Sequence, residues 1–252
     1  MKLTQLTKHI WISEHEQRRD RPKLGYIHTD THTVVIDAGH SKEHVQEFYD
    51  ALSKENLPLP ELTLITHWHW DHTFGMHAVH GLTCAERRIE TQLQRVLSDW
   101  NETSSQQYKD MNEHICAEYE DRTIQVKGAD IVFDNGLNIH LGEVSVHAFH
   151  VPSSHTEDST IMLIPEEKVI FIGDCICGKY PEWIVDYPVR NQLIELLKTL
   201  DFNIAVGSHW EPFTKEELIT ALVNDTIKKR RNKLPSFYFK NTLNNLLNSS
   251  LR

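Results

Sequence analysis

"THWHWDHTFG", residues 66–75, sets three histidines and one aspartate (His67, His69, Asp71 and His72) within six consecutive positions, with tryptophans in the gaps. It follows directly on the apolar run "ELTLI", residues 61–65. On extended backbone, side chains two apart project to the same side, so His67 and His69 face one common point. Asp71 and His72 come where the extended run gives way, and they turn toward a neighbouring point. Imidazole nitrogens with a carboxylate oxygen form a donor set suited to zinc, with iron or manganese compatible by ligand type. The segment therefore reads as a metal site rather than as a hydrated histidine loop.

The surrounding pattern says where this segment sits. "TQLTKHIWIS", "KLGYIHT" and "HTVVIDAG" have the composition of strands, and "SKEHVQEFYDALSKEN" has the spacing of a helix. In that helix Ser41 is the N-cap candidate, and Val45, Phe48, Tyr49 and Leu52 form the apolar stripe. "PLPELTLITH" returns to strand. Strand–helix–strand alternation points to an α/β sheet, and the histidines fall just beyond the C-terminal end of a buried strand, where such sheets carry their chemistry. Residues 84–120 have two apolar stripes at helical spacing and read as a helical segment, open to a role as pocket roof or homodimer contact. Strand-like stretches "TIQV", "DIVFD", "LNIHL", "EVSVHAFHV", "TIMLIP" and "KVIFIGD" follow. "NQLIELLKTL" is the next helix, "FNIAVGSH" a strand, and 214–252 mostly helix.

Four adjacent residues cannot complete two coordination spheres. Three further strand-to-loop boundaries each present one metal-competent side chain: His155 after "EVSVHAFHV", Asp174 ending "KVIFIGD", and His209 ending "NIAVGSH". Scattered histidines would not fall so regularly.

In these residues the chain resembles the metallo-β-lactamase-fold superfamily of metallohydrolases. Its pattern of H-x-H-x-D-H, a later histidine, an aspartate after an apolar strand and a final histidine occurs here in order over residues 33–210, with "VVIDAG" as the early strand. Two departures stand out. "SSHTEDS" replaces P-G-H-T-x-G-S, and Ser208 precedes the final histidine in place of glycine. The resemblance implies a single domain over 1–252, built as a four-layer αββα sandwich of two mixed β-sheets flanked by helices. It implies two divalent metal ions, zinc first. His67, His69 and His155 would hold one ion and Asp71, His72 and His209 the other, with Asp174 bridging. It also implies that a metal-bridging hydroxide attacks the substrate, with Asp71 as the catalytic residue that orients it.

A bridging Asp174 points away from true β-lactamases and toward hydrolases of small esters, thioesters, lactones or phosphoesters. The alternatives are a mononuclear iron-dependent oxygenase of the same fold and a non-catalytic metal-binding protein. The intact ligand set argues against the latter. Asp37 reads as an acid supporting the site. Trp68 and Trp70, alternating with ligands, are expected to face away from it. Tyr180, Trp183 and Tyr187, in the loop after Asp174, are the candidate substrate contacts.

Composition bounds the rest. The chain has 252 residues, 39% hydrophobic and 25% charged, in the range of soluble globular proteins. No apolar run approaches a membrane span, and the N-terminus lacks the apolar core of a secretory signal, so cytoplasmic residence is expected. A net charge of −10 opposes general binding of nucleic acid. The basic run "KKRRNK", 228–233, reads as a solvated helix face. Cys84, Cys116, Cys175 and Cys177 are too few and too irregular for a disulfide framework and read as buried or half-buried thiols.

Overall fold

The computed structural model describes residues 1–227. The run 228–233 and the later part of the expected C-terminal helices lie outside the described residues. β1 (Leu3–Gln5), β2 (Ile10–Ser13), β3 (Gly25–His28) and β4 (Thr33–Ile36) form an antiparallel meander. α1 (Lys42–Lys54) then crosses over to β5 (Leu62–Leu64), which runs parallel to β4. Ser41 caps α1, its side chain accepting from the His44 amide at 3.1 Å. α2 (Trp70–Thr73) and a 3₁₀ turn, Met76–Ala78, lead to β6 (Leu82–Glu86). α3 (Arg87–Asp99), α4 (Ser104–Met111) and α5 (Glu113–Tyr119) precede β7 (Ile131–Phe133), which closes a seven-stranded sheet parallel to β6.

The second sheet has six strands. β8 (Gly136–His140), β9 (Ser145–His150), β10 (Thr160–Ile164) and β11 (Val169–Gly173) are antiparallel neighbours. α6 (Tyr187–Thr199) returns the chain to β12 (Ile204–Gly207), parallel to β11. β13 (Phe213–Thr214) and α7 (Lys215–Val223) complete the described chain.

Alternation along the strands assigns the layers. Val34 and Ile36 of β4, Met162 and Ile164 of β10, and Val169 and Phe171 of β11 all enter one core between the two sheets. Their sequence neighbours face outward. Val35 packs with Phe48 and Leu52 of α1, while Ile161, Ile170 and Ile172 pack with Leu193 and Leu197 of α6 and Leu218 of α7. Strands covered on both faces read as unbroken apolar runs, which is why "TIMLI" and "VIFIG" show no polar alternation. The architecture is the four-layer αββα sandwich with two mixed sheets. Among the described residues no helix is long and apolar enough to cross a membrane.

Three local expectations are corrected. The helical segment begins at Arg87, because 82–86 pairs as β6 between β5 and β7. "TIQV", 123–126, forms no strand; Ile124 is buried among Trp70, Phe74, Ile115 and Tyr119, so packing overrides its β-branched preference. Cys116 is exposed, whereas Cys84, Cys175 and Cys177 are buried free thiols.

Candidate metal centre

The parallel pairs β4–β5 and β11–β12 end at the same edge of the sandwich, and the end of β9 lies there too. The Thr160 amide donates to the Thr66 carbonyl at 2.8 Å and ties the two sheets together at this edge. Past β5 the chain bends at Thr66 and Trp68 and reaches His69, the N-cap of α2, so Asp71 and His72 emerge from a helical turn. Gly75 closes the segment against β4's exit. A Cβ there would stand 2.0 Å from the Ala38 carbonyl oxygen, so no other residue fits without moving backbone.

These elements bring all seven sequence-picked residues together. His67, His69 and His155 form one group, His67, His72 and Asp174 a second, and Asp71, His72 and His209 a third, and within each the potential ligand atoms lie within 4.8 Å of one another. His155 Nε2 stands 2.9 Å from His69 Nδ1, His209 Nε2 3.1 Å from Asp71 Oδ2, and His209 Nε2 3.3 Å from Asp174 Oδ2. Donors about 2.1 Å from a tetrahedral cation stand roughly 3.4 Å apart, so the spacing suits ligands of shared ions.

Hydrogen bonds behind the ligands fix which atoms face inward. His155 Nδ1 donates to the Gly178 carbonyl at 2.9 Å, leaving Nε2 as a lone-pair donor. His72 Nδ1 donates to Asp37 Oδ2 at 2.7 Å, and the Thr66 hydroxyl, 3.1 Å from His67 Nδ1, also donates to Asp37. Asp37 therefore supports two ligands at once, and it does so from a left-handed backbone, φ 67°, that is uncommon for a non-glycine residue. The Asp158 carboxylate, where the superfamily pattern has glycine, accepts from the Trp68 amide at 2.8 Å and links the His155 loop to the His67–His69 segment.

The residues fit divalent cations on a direct criterion. Buried polar atoms almost always find partners, yet His67 Nε2 and Asp174 Oδ1 are buried and have no hydrogen-bond partner. The electrostatics divide the centre in two. Burial, with His155 beside it, drives the His69 imidazolium down to about 3, and burial lowers His67 and His155 too, so this group offers three neutral nitrogens. In the other half burial opposes charge, but Asp174 and Asp20 outweigh it and raise His209 to about 10. Asp71 and Asp174 are held well below the usual carboxylate range by the histidines around them, against burial. Burial opposes charge on His72 as well, but Asp71 and Asp37 outweigh it and raise that imidazole well above the usual histidine range, so this half draws positive charge to its carboxylates.

A cavity of about 330 Å³ opens onto the centre. Tyr180 and Trp183 line it, but Tyr187 does not; it is exposed at the start of α6, and its hydroxyl donates to Asp225 at 3.0 Å. Trp68 packs away from the centre, against Ile65 and Met76. Trp70 instead lines the cavity, stacked on His69 with ring centroids 5.3 Å apart. Trp70 is the first residue of α2, and that helical turn carries it inward. Met111, Asn112, Glu113 and His114, at the α4–α5 junction, form the roof, and Asp20 and Trp210 complete the wall. No spacing in the sequence marked Asp20, because its loop reaches the site only through folding.

A family model described as the Metallo-beta-lactamase superfamily matches residues 24–211. Among curated proteins, the chain is 28% identical over 153 residues to an atrochrysone carboxyl ACP thioesterase of Claviceps purpurea, covering 60% of this chain and 39% of that protein. It is 24% identical over 170 residues to the Beta-lactamase-like protein 2 homolog of Drosophila melanogaster, covering 67% of this chain and 49% of that protein. The chain thus spans half or less of the length of these relatives. Among solved structures, a double mutant of the sec-alkyl sulfatase PisA1 superposes with a TM-score of 0.68 at 12% identity, over 88% of this chain and 40% of that one. A metallo-beta-lactamase from Pontibacter korlensis superposes with a TM-score of 0.63 at 17% identity, over 88% of this chain and 99% of that one. At these identities the likeness is one of fold.

Proposed function

This chain belongs to the metallo-beta-lactamase superfamily, and from that premise we propose that it is a binuclear metal-dependent hydrolase of a small ester, thioester, lactone or phosphoester. The observation that carries the reading is the set of three overlapping buried groups, joined through His67 and His72, in which His67 Nε2 and Asp174 Oδ1 have no hydrogen-bond partner. His67, His69 and His155 would hold one ion, Asp71, His72 and His209 the other, and Asp174 would serve both. Zinc suits this mixed imidazole–carboxylate set. When bound, two such cations supply Lewis acidity and lower the pKa of water toward about 7.

The protein's own part is placement. Asp71 Oδ2, fixed between His72 at 3.2 Å and His209 at 3.1 Å, is positioned to accept a hydrogen bond from the attacking water and so to orient it. Trp70, Tyr180 and Trp183 give the cavity an aromatic wall that takes up the substrate's apolar part and displaces water. Asn112 donates to the Tyr180 hydroxyl at 3.2 Å, which steadies that wall from the roof. Thioesters are the first class to test, because the curated relatives include proteins named as ACP thioesterases. A small-molecule substrate, rather than nucleic acid or a membrane, is part of the proposal.

The test pairs elemental analysis with a substrate panel of thioester, lactone, phosphodiester and β-lactam compounds, run on chelated and zinc-reconstituted protein. Two ions per chain and metal-dependent turnover of a thioester, lactone or other ester are expected. One ion per chain, or turnover untouched by chelation, would overturn the binuclear assignment.

A further inference from the structure

The loop between β2 and β3 lies outside the matched family segment and has no part in the ligand pattern, yet it reaches the metal centre. His15 and Asp20 gather with His209, their potential ligand atoms within 4.8 Å of one another. Asp20 is nine-tenths buried, and its Oδ1 stands 3.3 Å from His209 Nδ1, the ring nitrogen facing away from Asp71 and Asp174. His15 stands behind it, Nε2 3.6 Å from the same carboxylate oxygen, with its ring edge-on to His209 at 5.0 Å.

The loop is built to stay there. The next residue, Arg21, is buried and forms a two-pronged ion pair with the fully buried Glu118 of α5 at 2.7 and 2.8 Å. The Lys23 amide donates to the Ser208 carbonyl at 2.8 Å, next to the ligand itself. Asp20 adopts a left-handed backbone, φ 46°, to turn its carboxylate inward. A non-glycine residue in that region is strained unless its surroundings hold it.

Resting on the metal-centre reading above, we propose that Asp20 is a positioning residue for the second metal site. It draws Nδ1–H of His209 toward itself and so presents Nε2, the lone-pair nitrogen, to the ion shared with Asp71 and His72, while His15 keeps Asp20 in place. The Nδ1 contact, at 3.3 Å, is a charge contact rather than an aligned hydrogen bond. Carboxylates behind ligating histidines fix the tautomer and raise ligand basicity, and their loss costs about 10- to 100-fold in metal affinity.

The experiment titrates chelated full-length protein with zinc against a competing chromophoric chelator, resolving the two binding steps. Asp20→Gly removes the acceptor while suiting the backbone angle, and Asp20→Asn keeps a neutral acceptor of the same shape. The step that His72→Ala also weakens is expected to fall about 10- to 100-fold in Asp20→Gly and less in Asp20→Asn, with the other step and the melting temperature of the chelated protein unchanged. Wild-type affinity at both steps in Asp20→Gly would overturn the proposal, as would equal loss at both steps or a lowered melting temperature, which mark a purely structural role. Should the wild-type chain itself bind no zinc, it is the metal-centre reading that fails.

Discussion

The floor and the roof of the cavity are made differently. The floor hangs from the ends of β4, β5, β9, β11 and β12, every ligand on it is buried, and each of its segments is tied to another by a hydrogen bond such as Thr160 to Thr66 or Trp68 to Asp158. The roof is the junction of α4 and α5, two helices of about two turns each, with Met111 70% exposed at its tip. A sheet holds its ends rigidly because both faces are packed. Short helices on the surface are held mainly by a few side-chain anchors. On the function proposed above, the reaction chemistry belongs to the floor, and the roof is free to tune which substrate enters.

The largest effect should come from the floor. His72→Ala and Asp174→Asn are expected to remove metal and hydrolysis together, by more than the 10- to 100-fold that loss of a supporting partner costs. Elemental analysis beside initial rates reads both. Full turnover with the metal gone would break the division. Next comes the anchor of the roof. Glu118→Ala leaves Arg21 buried without its main counter-charge, which costs roughly 3–5 kcal/mol of stability. Chemical denaturation measures it, and a loss within 1 kcal/mol would mean that the roof is held by something else.

Asp37→Asn weakens the support of His67 and His72, and a zinc affinity about 10- to 100-fold lower is expected by competition titration. Tyr180→Phe, which removes the hydroxyl that accepts from Asn112 of the roof, should act on substrate binding alone. Loss of one side-chain hydrogen bond to Tyr180 is worth about 0.5–1.5 kcal/mol, a 2- to 10-fold rise in KM with kcat and metal content unchanged. A fall in metal content instead would join roof and floor into one unit. The mildest probe is thiol labelling. At pH 8 a maleimide should modify exposed Cys116 on the roof rapidly and without loss of activity. Cys175 on the floor should resist, because burial and the neighbouring Asp174 raise its thiol. Rapid labelling of Cys175 would show that the floor opens.

Much of this was legible in the chain. The seven residues chosen from "HWHWDH" and from three later strand ends are the ones the fold gathers, because a side chain placed just past a buried strand inherits the position of that strand in the sheet. Asp37 was legible for the same reason, as the first residue after β4. The loop contacts were not. Tyr180, Trp183 and Tyr187 look alike as aromatics in one segment, yet two line the cavity and Tyr187 lies exposed at the start of α6, donating to Asp225. Trp70 was expected to face away with Trp68, and the onset of α2 turned it inward.

What the sequence determined by itself was therefore local and periodic: the unbroken apolar runs of the doubly covered strands, the capped helix after Ser41, and the donor atoms at fixed steps beyond strand ends. Only the tertiary structure decided what meets across long separations, such as Asp20 beside His209, Arg21 against Glu118, and the α4–α5 junction above the histidines. The physical reason is that backbone geometry encodes neighbours along the chain. Contacts between loops depend instead on how the two sheets pack, and no spacing within one segment carries that information.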